Sequence, residues 1–158
     1  MDSTAILMVC FGNICRSPTA EAVLRHLARL EAPHLSLTID SAGTSNYHVG
    51  APPDERSQHH ARLRGIDLSA LRARQLAARD YREFDLILAM DRDNLRTLQQ
   101  RLPMDARARL KLFLEYAPEL NKIDVPDPYY GDAAGFERVL DLTTAASRGL
   151  LRALQQRA

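Results

Sequence analysis

Val9-Cys10-Phe11-Gly12-Asn13-Ile14-Cys15-Arg16-Ser17-Pro18 decides how the rest of the chain is read. Just before it, Ala5-Ile6-Leu7-Met8-Val9 is an unbroken apolar run, the pattern of a buried strand. Just after it, Ser17 suits a helix N-cap, Pro18 the first helical position and Glu21 the first turn. The segment between is therefore a strand-to-helix loop. Backbone N–H groups converge there and the helix dipole adds to their pull on an anion. Cys10 lies at the mouth of this loop and Arg16 at the helix entrance. Amide donors and a guanidinium favour the thiolate form of a cysteine near neutral pH. The planar fork of arginine matches two oxygens of a phosphate. Cys-x5-Arg-Ser thus sets a nucleophile and a clamp around one tetrahedral dianion.

Beyond the loop, Ala20, Val23, Leu24, Leu27 and Ala28 recur at helical spacing, and Pro33 ends that helix. Leu35 to Ile39 alternates as a second strand, closed by Ser41-Ala42-Gly43-Thr44. Asn46 to Pro53 is a loop, and Asp54 to Arg64 a helix capped by Gly65. Leu68 to Leu76 reads as a turn and a short strand without a clear choice, and Asp80 to Phe84 as a single helical turn. Asp85 to Met90 is a further apolar strand, with Asp91 as N-cap of a helix over Arg92 to Arg101. Leu110 to Leu114 alternates as a strand, and Asp124 to Asp132 is irregular. Phe136, Val139, Leu140, Thr143 and Leu150 mark a long C-terminal helix.

Strands separated by helices predict an α/β fold: a doubly wound sheet of about four parallel strands with helices on both faces. The anion loop falls between the first strand and the first helix. Ligands in such folds bind beyond the carboxyl ends of the strands. The Cys10 loop, Ser41 to Tyr47 and Met90-Asp91 should therefore gather on one edge.

The 158 residues read as a single domain over 1–158. With 46% hydrophobic and 26% charged residues and a net charge of +1, the composition is that of an ordinary globular protein. That charge gives no reason to expect nucleic acid or a membrane surface as partner. The longest apolar run, Ala5 to Phe11, is far short of the ~20 residues of a membrane span. Asp2, with no basic segment around it, argues against a secretory signal. Two cysteines make no disulfide scaffold, so a reducing cytoplasm is the expected setting.

A thiolate that attacks a phosphate ester needs an acid for the leaving group. Asp127, between Pro126 and Pro128, has little backbone freedom and a preset aim. Tyr129 and Tyr130 beside it can wall a slot for a flat ring. Taken together, Cys10 to Pro18, Asp127-Pro128-Tyr129-Tyr130-Gly131 and the segment Asp85 to Leu95 resemble the low-molecular-weight protein tyrosine phosphatases over nearly the whole chain. The resemblance implies Cys10 as nucleophile, Arg16 as phosphate clamp and Asp127 as general acid. It implies Phe11, Gly12, Asn13, Ile14, Cys15 and Arg16 as the phosphate-binding loop, and Asn13, Ser17 and Ser41 as its support. Asn13 is read as tolerating a left-handed backbone angle, with Ser41 as the serine that bonds it. Ile14, Tyr47, Tyr129 and Tyr130 are the expected substrate wall. The implied substrates are phosphotyrosine proteins and small aryl phosphates, with inhibition by phosphate and vanadate-type anions. No cofactor and no metal is called for.

Several readings compete at individual positions. Cys15 is either core filling at a helix start or a redox partner that forms a reversible disulfide with Cys10. His59 and His60 with the two cysteines suggest zinc, but adjacent helical residues point about 100° apart, so both histidines are taken as solvated. Arg72, Arg74, Arg79 and Arg82 are taken as a solvated face. Leu71 stands where many relatives in the family carry a histidine near the phosphate loop. Arsenate reductases of similar fold need cysteines downstream, and none follows Cys15. Phosphoarginine phosphatases tend to carry threonine in place of Ile14, whose apolar side chain suits an aromatic ester.

Overall fold

In a computed structural model that describes residues 3–157, β1 (Thr4–Cys10) runs through the centre of the molecule. Met1, Asp2 and Ala158 lie outside the described residues, and the reading of Asp2 with them. Side chains of β1 alternate between two cores, as the period of a strand requires. Ile6, Met8 and Cys10 enter one; Leu7 and Val9 enter the other. Burial on both faces explains why the strand is an unbroken apolar run rather than an alternating one.

The chain continues through α1 (Arg16–Glu31), β2 (Leu37–Gly43), α2 (Glu55–Arg62), α3 (Asp80–Glu83), β3 (Leu86–Ala89), α4 (Arg92–Gln100), β4 (Arg109–Leu112) and α5 (Ala133–Gln156). The four strands form one parallel sheet in the order β2-β1-β3-β4. α1 and α5 cover the face that carries Ile6 and Met8, while Tyr81 of α3 and Leu98 of α4 pack on the other. The doubly wound parallel sheet is as expected, and β1 turns directly into the loop that opens α1.

Four elements depart most from the sequence reading. α1 starts at Arg16 with Cys15 at the cap position and no side-chain capping bond. Ser17 is therefore inside the helix, its hydroxyl engaged elsewhere, and Glu21 is buried rather than a first-turn acid. β2 runs on to Gly43, so Ser41 sits in the strand, because parallel pairing with Met8, Val9 and Cys10 holds that end extended. α2 is shorter than expected, with Asp54 as a true N-cap that accepts from the Arg56 N–H. β4 ends at Leu112, and Phe113 to Tyr116 form a 3-10 turn that buries Phe113 and Leu114. Over Leu68 to Leu76 the chain makes one isolated bridge, between Gln75 and Gly43. Among the described residues no helix is long and apolar enough to cross a membrane.

Candidate active site

A cavity of about 470 Å³ opens beyond the carboxyl end of β1, lined by Cys10, Phe11, Gly12, Ile14, Cys15, Arg16, Tyr47, His48, Asp127, Tyr129 and Tyr130. Nearly every residue singled out in the sequence meets here. Asn13, Ser17 and Ser41 lie behind the loop as a bracing layer instead of on the cavity wall.

That layer has a defined direction. Asn13 takes a positive φ of 58°, a conformation asparagine tolerates better than most residues. Its side-chain oxygen accepts the Arg74 N–H at 3.0 Å, which fixes the amide so that its NH₂ donates to Ser17 Oγ at 2.8 Å and Ser41 Oγ at 3.0 Å. Both hydroxyl oxygens are thereby acceptors, and their protons must point elsewhere. Ser41 donates to Glu21 Oε1 at 2.6 Å. Ser17 is left to donate to Cys10 Sγ, 3.0 Å away. The Asn13 N–H adds a second donor to that sulfur at 3.3 Å. Two donors thus converge on the sulfur at the floor of the cavity.

Glu21 anchors the far end of the chain. Burial raises its pKa against the bonds from Ser41 and Arg25 that lower it. Arg25 donates to Glu21 at 2.7 Å and also to the Ile39 carbonyl. The Leu71 position contributes packing to the core, and the polar support of Asn13 comes from the Arg74 backbone instead.

Arg16 is buried with its Nη1 committed to Asp91 Oδ2 at 2.6 Å and the Val125 carbonyl at 3.0 Å. Nη2 lies 3.8 Å from Asp127 Oδ2 across the cavity. Burial opposes the Arg16 charge, but Cys10, Asp91 and Asp127 outweigh it and hold the guanidinium above its usual pKa. Asp91 was expected at the site edge and as a helix cap, but not as a partner of Arg16. It does cap α4, accepting the Asn94 N–H at 2.7 Å, while its other oxygen orients the Arg16 guanidinium. Nothing in the sequence spacing marks that second use.

Cys15 is buried in an apolar cluster of its own. Burial first, then the charge of Asp54, pushes its thiol up to about 12. It packs with Ile14, Ala73 and Phe136. Gly43 is another site residue that sequence reasoning passed over. A Cβ there would meet the Phe11 carbonyl at 2.8 Å, and glycine lets the end of β2 approach the loop. His48, also missed, lies against Gly12 and faces Tyr129 with ring centres 6.3 Å apart. Phe11 and Tyr47 meet edge to face at 5.5 Å, as do Tyr129 and Tyr130 at 4.9 Å. Tyr47 and Tyr130 are largely exposed and form the rim.

Two surface readings are corrected. His60 is not solvated: it bonds Glu137 at 2.6 Å and stacks on Phe136, whereas His59 is exposed. Arg74 is not on a free face either, because Asp40 and Asp80 hold its guanidinium. No group of three or more His, Cys, Asp or Glu side chains gathers as a metal-ligand set among the described residues.

The family model described as low molecular weight phosphotyrosine protein phosphatase matches residues 5–158. The chain belongs to this family. The low molecular weight phosphotyrosine protein phosphatase of Schizosaccharomyces pombe is 49% identical over 135 residues, covering 83% of this chain and 84% of the relative. The crystal structure of YfkJ from Bacillus subtilis aligns with a TM-score of 0.91 and 37% identity over 99% of this chain and 98% of that one. The crystal structure of DARP, a Drosophila arginine phosphatase, aligns with a TM-score of 0.88 and 30% identity over 95% and 97%. The shared fold therefore spans phosphatases whose names differ in substrate.

Proposed function

We propose that the protein hydrolyses phosphotyrosine and small aryl phosphates through a cysteinyl-phosphate intermediate. The observation that carries this reading is the directional hydrogen-bond chain that ends on Cys10 Sγ, facing Arg16 and, across the cavity, Asp127.

In the first step the Cys10 sulfur attacks phosphorus and the bond from phosphorus to the phenolic oxygen breaks. Asp127 gives its proton to that oxygen, a contribution worth typically ~10²–10⁴-fold. In the second step Asp127, now ionised, takes a proton from water, whose oxygen attacks phosphorus and releases orthophosphate from the sulfur. The Ser17 hydroxyl stabilises the departing thiolate. Arg16, its Nη1 held by Asp91, and the amides of Phe11 to Arg16 stabilise the equatorial oxygens in both steps. Ile14, Tyr47, Tyr129 and Tyr130 flank the ring. Orthophosphate and vanadate inhibit by occupying the same loop. The setting is a reducing cytoplasm, in which Cys10 stays reduced. Under peroxide Cys10 is oxidised to a sulfenic acid, and Cys15 condenses with it to a disulfide with loss of water.

The test is turnover of p-nitrophenyl phosphate in the presence of EDTA. Activity that EDTA abolishes overturns the mechanism. Ile14 on the cavity wall favours an aryl ester over a phosphoguanidine, and peptides carrying phosphotyrosine, phosphoserine or phosphoarginine decide between them. Preference for phosphoarginine would reassign the substrate.

A further inference from the structure

We propose that Arg56 is a positioning residue that sets the aim of Asp127 by tying the loop that carries it to the phosphate loop. The inference rests on the reading of Asp127 as the general acid. It starts at Asp54, whose N–H donates to the carbonyl of Ile14 at 2.8 Å, so the first turn of α2 is anchored on the phosphate loop. The Asp54 carboxylate accepts from the Arg56 N–H at 2.8 Å, from its Nε at 3.1 Å and from its Nη2 at 2.9 Å. The same Nη2 donates to the Tyr129 carbonyl at 3.0 Å. Two rings complete the seat: the guanidinium carbon lies 4.6 Å from the centre of Phe136 and 5.7 Å from that of Tyr129. His60 stacks on Phe136 at 5.9 Å and backs it.

Tyr129 passes the tie on. Its N–H donates to Asp127 Oδ1 at 3.1 Å, so any shift of the Tyr129 backbone shifts the carboxylate. Among the described residues, the hydrogen bonds of Asp127 to Gly131 include one to a distant part of the chain, and it is the bond from Arg56. The Arg16–Asp127 approach of 3.8 Å is too long to fix an angle. Without Arg56 the acid loop is held at its root, where Val125 bonds Met90, and at the Pro126 and Pro128 backbone.

Arg56 is half exposed, and such a pair contributes little to stability. Its effect belongs in the geometry of proton transfer, where a misplacement of about 1 Å costs up to ~10²-fold. The experiment is kcat/KM for aryl phosphates whose phenols are graded in acidity, measured for Arg56→Ala, Asp127→Asn and the double variant, with the inhibition constant of orthophosphate measured alongside. Arg56→Ala should lose about tenfold or more on phenyl phosphate and phosphotyrosine and less than about twofold on dinitrophenyl phosphate, whose phenolate leaves without a proton. Orthophosphate should inhibit unchanged, because the phosphate loop is untouched. In the Asp127→Asn background the substitution should add nothing. Arg56→Lys, which keeps charge and stem but not the fork, should show the same leaving-group dependence at smaller size, even where the alanine variant folds poorly. Equal losses on every ester, additivity with Asp127→Asn, or no loss at all overturns the role of Arg56 alone. An Asp127→Asn variant with no leaving-group dependence overturns the acid itself, and Arg56 with it.

Discussion

Two loops meet across the cavity, and they are held in opposite ways. The Cys10–Arg16 loop is buried apart from Phe11 and Gly12 and braced from behind by a connected layer, from Arg25 through Glu21, Ser41, Asn13 and Ser17 to the sulfur. The Asp127–Gly131 loop is exposed and tethered at few points, at its root by Val125 and at its tip by Arg56. The difference fits the tasks that the proposed mechanism gives each loop. Stabilising an anion requires donors that do not reorganise when charge develops, so they are fixed by the fold. Delivering a proton to leaving groups of varied shape requires aim but also open access, so the loop stands in solvent. Substitutions in the braced loop should therefore change stability and activity together, while those in the tethered loop should change activity alone.

The sharpest contrast is between the two reacting groups. Cys10→Ser is expected to reduce turnover by about 10⁵ or more, since no phosphoenzyme can form; the absence of a trapped phosphocysteine on rapid quench checks it. Asp127→Asn is expected to reduce kcat/KM on phenyl phosphate by ~10²–10⁴ with no measurable change in Tm. A large fall in Tm for Asp127→Asn would erase the distinction between the loops.

The bracing layer is tested through Asn13→Ala. Three side-chain hydrogen bonds at about 1 kcal/mol each are lost, and alanine adopts a positive φ with about 1 kcal/mol of strain. By those magnitudes Tm should fall by about 8–16 °C, together with kcat, in a thermal melt and a steady-state assay.

The smallest effect concerns the root of the acid loop. Burial pushes the Asp124 carboxyl up, but the Arg92 side-chain and backbone bonds and its charge outweigh that and hold it below its ordinary range. A carboxyl with a depressed folded pKa contributes stability that is present above its unfolded value, about 3.9, and is lost as pH falls through the folded value. Arg92→Ala should lower Tm slightly at pH 7, and the gap to the parent protein should close as pH drops below about 4. A gap that widens in acid contradicts the assignment.

Much of this was legible in the chain. The apolar run into Cys10, the proline-framed Asp127 and the helical periods predicted the sheet, its helices and the meeting of Cys10 and Asp127 at one cavity. What was not legible lies in tertiary use of residues with a good local reading. Ser17 looked like a cap, yet the helix starts at Arg16, while its expected support of the loop is there, its hydroxyl 3.0 Å from the Cys10 sulfur. Asp91 is a cap and also orients Arg16, a contact between residues 75 apart that no local pattern encodes. Arg74 and His60 looked like surface residues because their partners come from distant segments. Gly43 is required by the approach of the Phe11 carbonyl, visible only once β2 lies beside the loop.

The two cysteines give the most direct measurement, because they sit five residues apart in opposite surroundings. Iodoacetamide labelling at pH 6–7, mapped to each residue by mass spectrometry, should modify Cys10 rapidly, with orthophosphate or vanadate protecting it. Cys15, its thiol pushed up to about 12 by burial, should stay unlabelled. If Cys10 reacts no faster than a free cysteine in solution and neither anion shields it, the reading of Cys10 as a nucleophile held by Ser17, Asn13 and Arg16 is ruled out.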